Sequence, residues 1–139
     1  MGQRQVIAFV APMPPSANRM YQAVLNRIIK SSTYRTWLNE FPDVVIKRNP
    51  FLLTLDKDFF SPSAEYEIQI VYYFERVISK RPSPTTVFLK LDLDNRVKAL
   101  ADGIKNLIRI DDANYARYVL ERRVDPSDVR AEVTIRRME

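Results

Sequence analysis

The sequence predicts a single α+β domain spanning residues 1–139, with two main helices packed on a mixed β-sheet in the order β-α-β-α-β-β. Three observations predict it. Residues 65–75 alternate as a strand, residues 92–109 carry one apolar helical stripe, and two further alternating segments close the chain. The length is that of one ordinary domain, and 46% hydrophobic residues suffice for a sizeable core. A domain this small gains from pairing with a second copy.

The elements follow in order. Residues 4–11, RQVIAFVA, are apolar on both alternating sets and read as a strand with both faces covered. The prolines of APMPPSANRMY exclude helix and force an extended turn, after which Ser16 or Asn18 can cap a helix. Residues 19–41 have helical composition, with a break at Ser31-Ser32-Thr33. Residues 42–64 mix prolines, charges and aromatics. They read as an irregular insertion holding a short strand at Phe51–Leu55. The strand at 65–75 places Tyr66, Ile68, Ile70, Tyr72 and Phe74 on one face, and Arg81-Pro82-Ser83-Pro84 marks a basic loop.

The segment Asp92–Arg109 is the strongest helix: Leu93, Val97, Leu100, Ala101, Ile104, Leu107 and Ile108 form one buried stripe. Gly103 inside it costs about 1 kcal/mol relative to alanine, which close packing against another element, within the domain or at a dimer interface, would explain. The final hairpin places Ala116, Tyr118, Leu120 and Val124 on one face of its first strand. Val129, Ala131, Val133 and Ile135 share a face of its second, after a turn at Asp125-Pro126-Ser127-Asp128. Trp37, Phe41 and the aromatics at 59–60 and 72–74 read as core.

Composition excludes whole classes of chemistry. With no cysteine and no histidine, the chain has no disulfide, no zinc finger, no thiol nucleophile and no imidazole-dependent triad. A side-chain metal site must use oxygen ligands, which favour magnesium or manganese. Two glycines, Gly2 and Gly103, cannot build a glycine-rich phosphate loop. The N-terminal residues read as a strand rather than a signal peptide, and no apolar run reaches membrane-spanning length, so a cytoplasmic location is expected.

A net charge of +5 and a pI of about 9.6 suit a polyanionic partner. Arg76, Lys80, Arg81 and Lys90 lie in a stretch, 76–90, that contains no acid. Directly after it comes Lys90-Leu91-Asp92-Leu93-Asp94-Asn95-Arg96-Val97-Lys98, then Asp102, then Asp111-Asp112. Asp92 and Asp94 fall at the predicted helix start, and Asp94, Lys98 and Asp102 line one helical face. If the strand after Asp111-Asp112 packs beside the helix start, a second group of carboxylates returns to the first. Carboxylates brought together repel by about 4 kcal/mol per pair at 4 Å and an effective dielectric of 20. A divalent cation offsets this, acidifies a bound water and bridges to a phosphate. Lys98 suits the charge that builds on such a phosphate, and Asn95 can orient a carboxylate or a water. Taken alone, the same acids also fit helix caps, surface ion pairs and a solvated turn.

The run D-L-D-N-R-V-K-A-L-A-D, followed by D-D and two strands, resembles the RusA family of Holliday junction resolvases, often encoded by phages and prophages. Pro12 to Tyr21, P-M-P-P-S-A-N-R-M-Y, resembles that family's first motif, and Ser32-Thr33-Tyr34-Arg35 resembles the Y-R that follows. The resemblance spans most of the chain in the right order. It implies a homodimer that binds branched DNA, especially four-way junctions, and nicks two strands symmetrically using Mg2+, with Mn2+ as the substitute. It implies 5′-phosphate and 3′-hydroxyl ends. By position it implies metal ligands at Asp92, Asp94 and Asp112, an essential lysine at Lys98 and a further aspartate at Asp102. The spacing leaves Asp111 as the substitute for Asp112. The basic run before D-L-D is thin, and residues 42–64 have no counterpart in the family pattern.

Asn18, Arg19, Tyr21, Arg76, Lys80, Arg81 and Lys90 are the candidate DNA contacts. Arg122, Arg123, Arg136 and Arg137 fit a DNA track or a solvated sheet face equally. Two other readings stand beside the nuclease: a non-catalytic nucleic-acid-binding module with the same fold, and a phage assembly protein that binds no nucleic acid. The D-x-D-N-x-x-K run weighs against the first, because a pure binder gains nothing from acids facing phosphate.

Overall fold

The computed structural model describes residues 5–16, 21–24, 27–55 and 57–138. It is an α+β arrangement with one four-stranded mixed sheet and two helices. The sheet is built on β4 (Glu65–Phe74), whose neighbours are β6 (Arg130–Met138), antiparallel, and β5 (Tyr115–Val124), parallel. The antiparallel strand β1 (Val6–Ala11) closes the order β1-β6-β4-β5.

Strand β4 forms as its alternation predicts: Tyr66, Ile68, Ile70, Tyr72 and Phe74 are all buried. The register carries these residues into cross-strand rows: Ile7–Ile135–Ile68, Phe9–Val133–Ile70 and Ala11–Ala131–Tyr72. Such rows are the unit of sheet stabilisation. Phe41, Val45, Leu100 and Ile104 from the helices complete the same core.

The predicted order holds apart from one inserted hairpin. The helix expected over 19–41 gives way at its start to a two-stranded ladder, β2 (Tyr21–Val24) with β3 (Arg27–Lys30). Helix α1 (Ser32–Arg48) starts later, capped by Ser31, whose hydroxyl accepts a 3.2 Å bond from the Tyr34 amide. Of the two predicted caps, Ser16 is instead buried in the preceding segment, and Asn18 lies outside the described residues. The irregular insertion expected from residue 42 begins only after Arg48. Pro42 forfeits one helical bond, but Phe41 and Val45 on either side are fully buried and carry the helix through it. Residues Pro50–Thr54 then form a 3-10 turn rather than a strand. At the helix end the buried Asn49 donates to the carbonyls of Val10 and Val45, both at 2.7 Å, and accepts from the Val10 amide at 2.9 Å. This ties α1 to the free edge of β1.

Three strand expectations change for physical reasons. The core covers one face of the sheet, so in β1 Ile7, Phe9 and Ala11 are buried and Val6 stays exposed. Strands β5 and β6 are not a hairpin pair, because β4 lies between them. A parallel β4–β5 pair needs a crossover, and residues 75–114 supply it. Finally, a bulge shifts the register between Tyr66/Tyr115 and Glu67/Arg117, so Tyr115 is buried where Ala116 was expected to be. Val124 and Val129 are exposed.

Helix α2 (Val97–Ile108) forms the crossover's packing element. Its stripe buries Leu100, Ala101, Ile104 and Ile108 as predicted. Gly103 meets α1 directly: a Cβ there would stand 2.9 Å from the Phe41 ring. Two non-glycine residues in the left-handed region flank this helical segment, Asp92 (φ 50°) and Arg109 (φ 63°). Aspartate is among the side chains that best tolerate that conformation.

Candidate active site

The acidic residues lie on the crossover between β4 and β5. Asp92 sits in the loop before the helix rather than on its first turn, and Asp94 opens a short 3-10 turn, Asp94–Arg96, leading into α2. The loop is held by Arg96. Its guanidinium donates to the Leu91 carbonyl at 2.9 Å and to the Pro14 carbonyl at 2.7 Å, and lies 5.3 Å from the centre of the Phe74 ring. One side chain thereby joins the proline-rich first motif to the acidic run. Beneath the turn is Tyr72, whose buried hydroxyl has no protein partner among the described residues. Burial pushes that phenol well above its ordinary range, opposed by Arg96 and reinforced by Asp94.

Lys98 and Asp102 follow one turn apart on α2, with Lys98 Nζ 3.9 Å from the Asp102 carboxylate. Asp102 also accepts a hydrogen bond from the hydroxyl of Tyr34, a fully buried residue of α1. The second and third sequence motifs therefore meet through one aspartate.

After α2 the left-handed turn at Arg109 reverses the chain. Asp111 comes to lie 3.1 Å from Lys105 Nζ, and its side chain accepts from the Ala113 amide. The neighbouring Asp112 side chain, and then Lys105, hold the Asp111 carboxyl down to about 2. The Asp112 carboxyl is raised, chiefly by Asp111 and by desolvation, and opposed by Lys98. Behind the pair stands Tyr115, whose buried hydroxyl also lacks a protein partner among the described residues. Burial, with help from Tyr118 and Asp112, raises it far above the ordinary phenol range.

The acids thus form two sets, Asp92 with Asp94 and Asp111 with Asp112, with Lys98 electrostatically linked to the second. Among the described residues no three carboxylates stand together as a ready metal-binding group. The donors nevertheless suit a hard cation. All are oxygens, and the orphaned hydroxyls of Tyr72 and Tyr115 lie within electrostatic reach of Asp94 and of Asp111 and Asp112 respectively. Magnesium keeps several waters and is commonly held by only one or two carboxylates.

The basic candidates Arg76, Lys80, Arg81 and Lys90 are all exposed, and no described carboxylate pairs with them. Lys80 and Arg81 lie on a projecting arm closed by the bridge between Ile78 and Phe88. Asn18 and Arg19 lie outside the described residues, as does the side chain of Tyr21. Each of the four strand arginines has a partner within the fold. Arg136 pairs with Glu67 at 3.1 Å, Arg123 pairs with Glu121, Arg137 donates to the Asp58 carbonyl, and Arg122 lies over Phe88. Sequence reasoning gave no role to Arg96, Tyr72 or Tyr115. Arg96 works through backbone carbonyls, which leave no mark in a sequence, whereas the two tyrosines were visible only as strand aromatics.

Fold and site define a small α+β protein that presents two acidic sets and a lysine on a sheet crossover. The family model described as Endodeoxyribonuclease RusA matches residues 12–136, and the chain belongs to that family. The match contains both separated motifs and every described acid of the site. No curated protein sequence matches the chain. No described helix is long and apolar enough to cross a membrane.

Proposed function

We propose that this protein is a divalent-metal-dependent endodeoxyribonuclease that resolves four-way DNA junctions by paired, symmetric phosphodiester hydrolysis. The observation that carries the reading is the family match over residues 12–136, within which Asp92, Asp94, Lys98 and Asp112 occupy one crossover. Asp92, Asp94 and Asp112 would hold the cation, with Asp111 as the neighbour that tunes Asp112. When bound, magnesium or manganese supplies an acidified water and positive charge at the phosphate.

The chain's own residues do the rest. Lys98 faces the negative charge that develops on the phosphoryl oxygens, the kind of interaction that counts most in the transition state. Asp102 and Tyr34 fix the position from which it acts. Asn95 orients a carboxylate or water at the turn. Arg96 keeps the acidic loop in register with the Pro12–Ser16 segment. Arg76, Lys80, Arg81 and Lys90 grip backbone phosphates, with Asn18, Arg19 and Tyr21 as further contacts, so binding is salt-sensitive. Shape rather than base edges selects the branch. A junction with two-fold symmetry needs two cuts, and a homodimer supplies them. The protein would act in the cytoplasm, where the DNA is.

The test is incubation with end-labelled four-way, flap, three-way and linear DNA, with magnesium, with manganese and with a chelator. The reading predicts symmetric nicks in the four-way substrate only, dependent on the metal and ligatable afterwards. Junction binding without cleavage under any divalent cation would identify a binding module instead.

A further inference from the structure

We propose that the cavity beside Asp92 is a nucleobase pocket, which takes a base extruded from the branch point next to the bond that is cut. The inference rests on the nuclease reading above and adds a ligand to it.

The cavity measures about 400 Å³ and is walled by three parts of the chain. Met13 and Pro14 come from the N-terminal segment, Thr33 and Trp37 from α1, and Lys90 and Asp92 from the acidic loop. Its volume falls in the lower part of the range for small organic ligands, about 300–1,000 Å³. The walls are preorganised. Arg96, itself part of the lining, bonds the Pro14 and Leu91 carbonyls and so fixes two walls against each other. Trp37 is braced on the buried Phe41 ring, 5.0 Å between centroids.

The lining selects the ligand class. An apolar molecule would leave Lys90 and Asp92 facing it unmatched. A free anion would be repelled by Asp92 and would make no use of the indole. A nucleobase has a flat face for Trp37 and the prolines, polar edges for Thr33, and a neighbouring phosphate for Lys90. Stacking on an aromatic side chain tolerates any base, because every base has a π-face. Asp92 belongs both to this wall and to the proposed metal ligands, so a base seated here brings its own phosphate to the acidic site. Extrusion costs least where bases are already unstacked or unpaired, as at a branch. The pocket therefore favours branched over linear DNA without reading sequence.

Trp37 is the only tryptophan of the chain, so its emission reports on this pocket alone. The experiment titrates the full-length protein with a four-way junction in chelator, exciting tryptophan selectively. It is then repeated with junctions carrying one abasic site at each nucleotide flanking the mapped cut. We expect emission to be quenched by the intact junction. One abasic position beside the cut should abolish the quench and weaken binding about tenfold, the size of one lost stacking contact. The DNA-side change leaves the protein fold untouched. Binding and cutting with unchanged emission, or quenching that survives every abasic position, would overturn the pocket while leaving the nuclease standing. Failure to bind any junction would overturn both.

Discussion

The guanidinium of Arg96 donates a 2.7 Å hydrogen bond to the carbonyl of Pro14, 82 residues earlier in the chain. With its second bond to Leu91, it spans the two segments that carry the family's separated motifs. Replacing it with leucine leaves both carbonyls without their charged donor, at about 1.5–3 kcal/mol for each such bond. Arg96→Leu should therefore lower stability in urea by about 2 kcal/mol or more and reduce junction cleavage at least tenfold. Arg96→Lys should recover little, because an ammonium lacks the planar fork that reaches both acceptors. Equal activity of the lysine variant and the wild type would show that the fork is unimportant.

Tyr34 and Asp102 make the second link between motifs. Tyr34→Phe keeps the buried ring and removes only the hydroxyl that bonds Asp102. Stability should fall by about 1.5–3 kcal/mol, the size of a hydrogen bond to a charged group. Cleavage should fall further, through kcat rather than through junction affinity, because Lys98 loses the support of its fixed partner. Parallel chemical denaturation and single-turnover kinetics separate the two effects. An activity loss no larger than the fraction unfolded would assign Tyr34 to the core alone.

Gly103→Ala sets two magnitudes against each other. Alanine gains about 1 kcal/mol of helix propensity. The added carbon would stand 2.9 Å from the ring of Phe41, which is fully buried. Overpacking of this kind costs about 1–3 kcal/mol, so the variant should be less stable than the wild type. Phe41→Leu in the same chain should relieve part of the loss. A stabilised Gly103→Ala would mean that the helices shift apart freely.

Much of this was readable in advance. Strand β4 and the buried stripe of α2 follow from alternation and helical spacing, and Gly103 announced a close approach. The errors share a cause, which is that pairing partners are not local. Nothing in residues 115–137 distinguishes a hairpin from two strands separated by β4. The burial of Phe41 and Val45, which carries α1 past Pro42, is a tertiary effect. At the site, the acids and Lys98 were visible as residue types at suggestive spacing. The Arg96 clamp and the cavity at Trp37 were not, since both are made from backbone carbonyls and from residues far apart in sequence.

Acid should destabilise the turn between β5 and β6. Asp125 is held below the usual 3.8 by the Ser127 hydroxyl and then by Arg130, and Asp128 chiefly by Arg48. Because the folded-state values are depressed, their contribution is present above the unfolded value. It is lost as pH falls through the folded one. Tm should decline on acidification from about pH 5 to about pH 2. In Arg48→Met the loss relative to wild type should be larger at neutral pH than at the acid end. A pH-independent difference would remove Asp128 from this account.

Acids from the two ends of helix α2 serve one active site, and cleavage of a four-way junction at saturating protein shows whether they do. Asp92→Asn, Asp94→Asn, Asp112→Asn and Lys98→Met should each bind the junction and cut it about 10²–10³ times more slowly than wild type. Asp111→Asn should lose less than about tenfold. If Asp112→Asn cuts at the wild-type rate while Asp94→Asn is inactive, the two stretches do not share a site and the account fails.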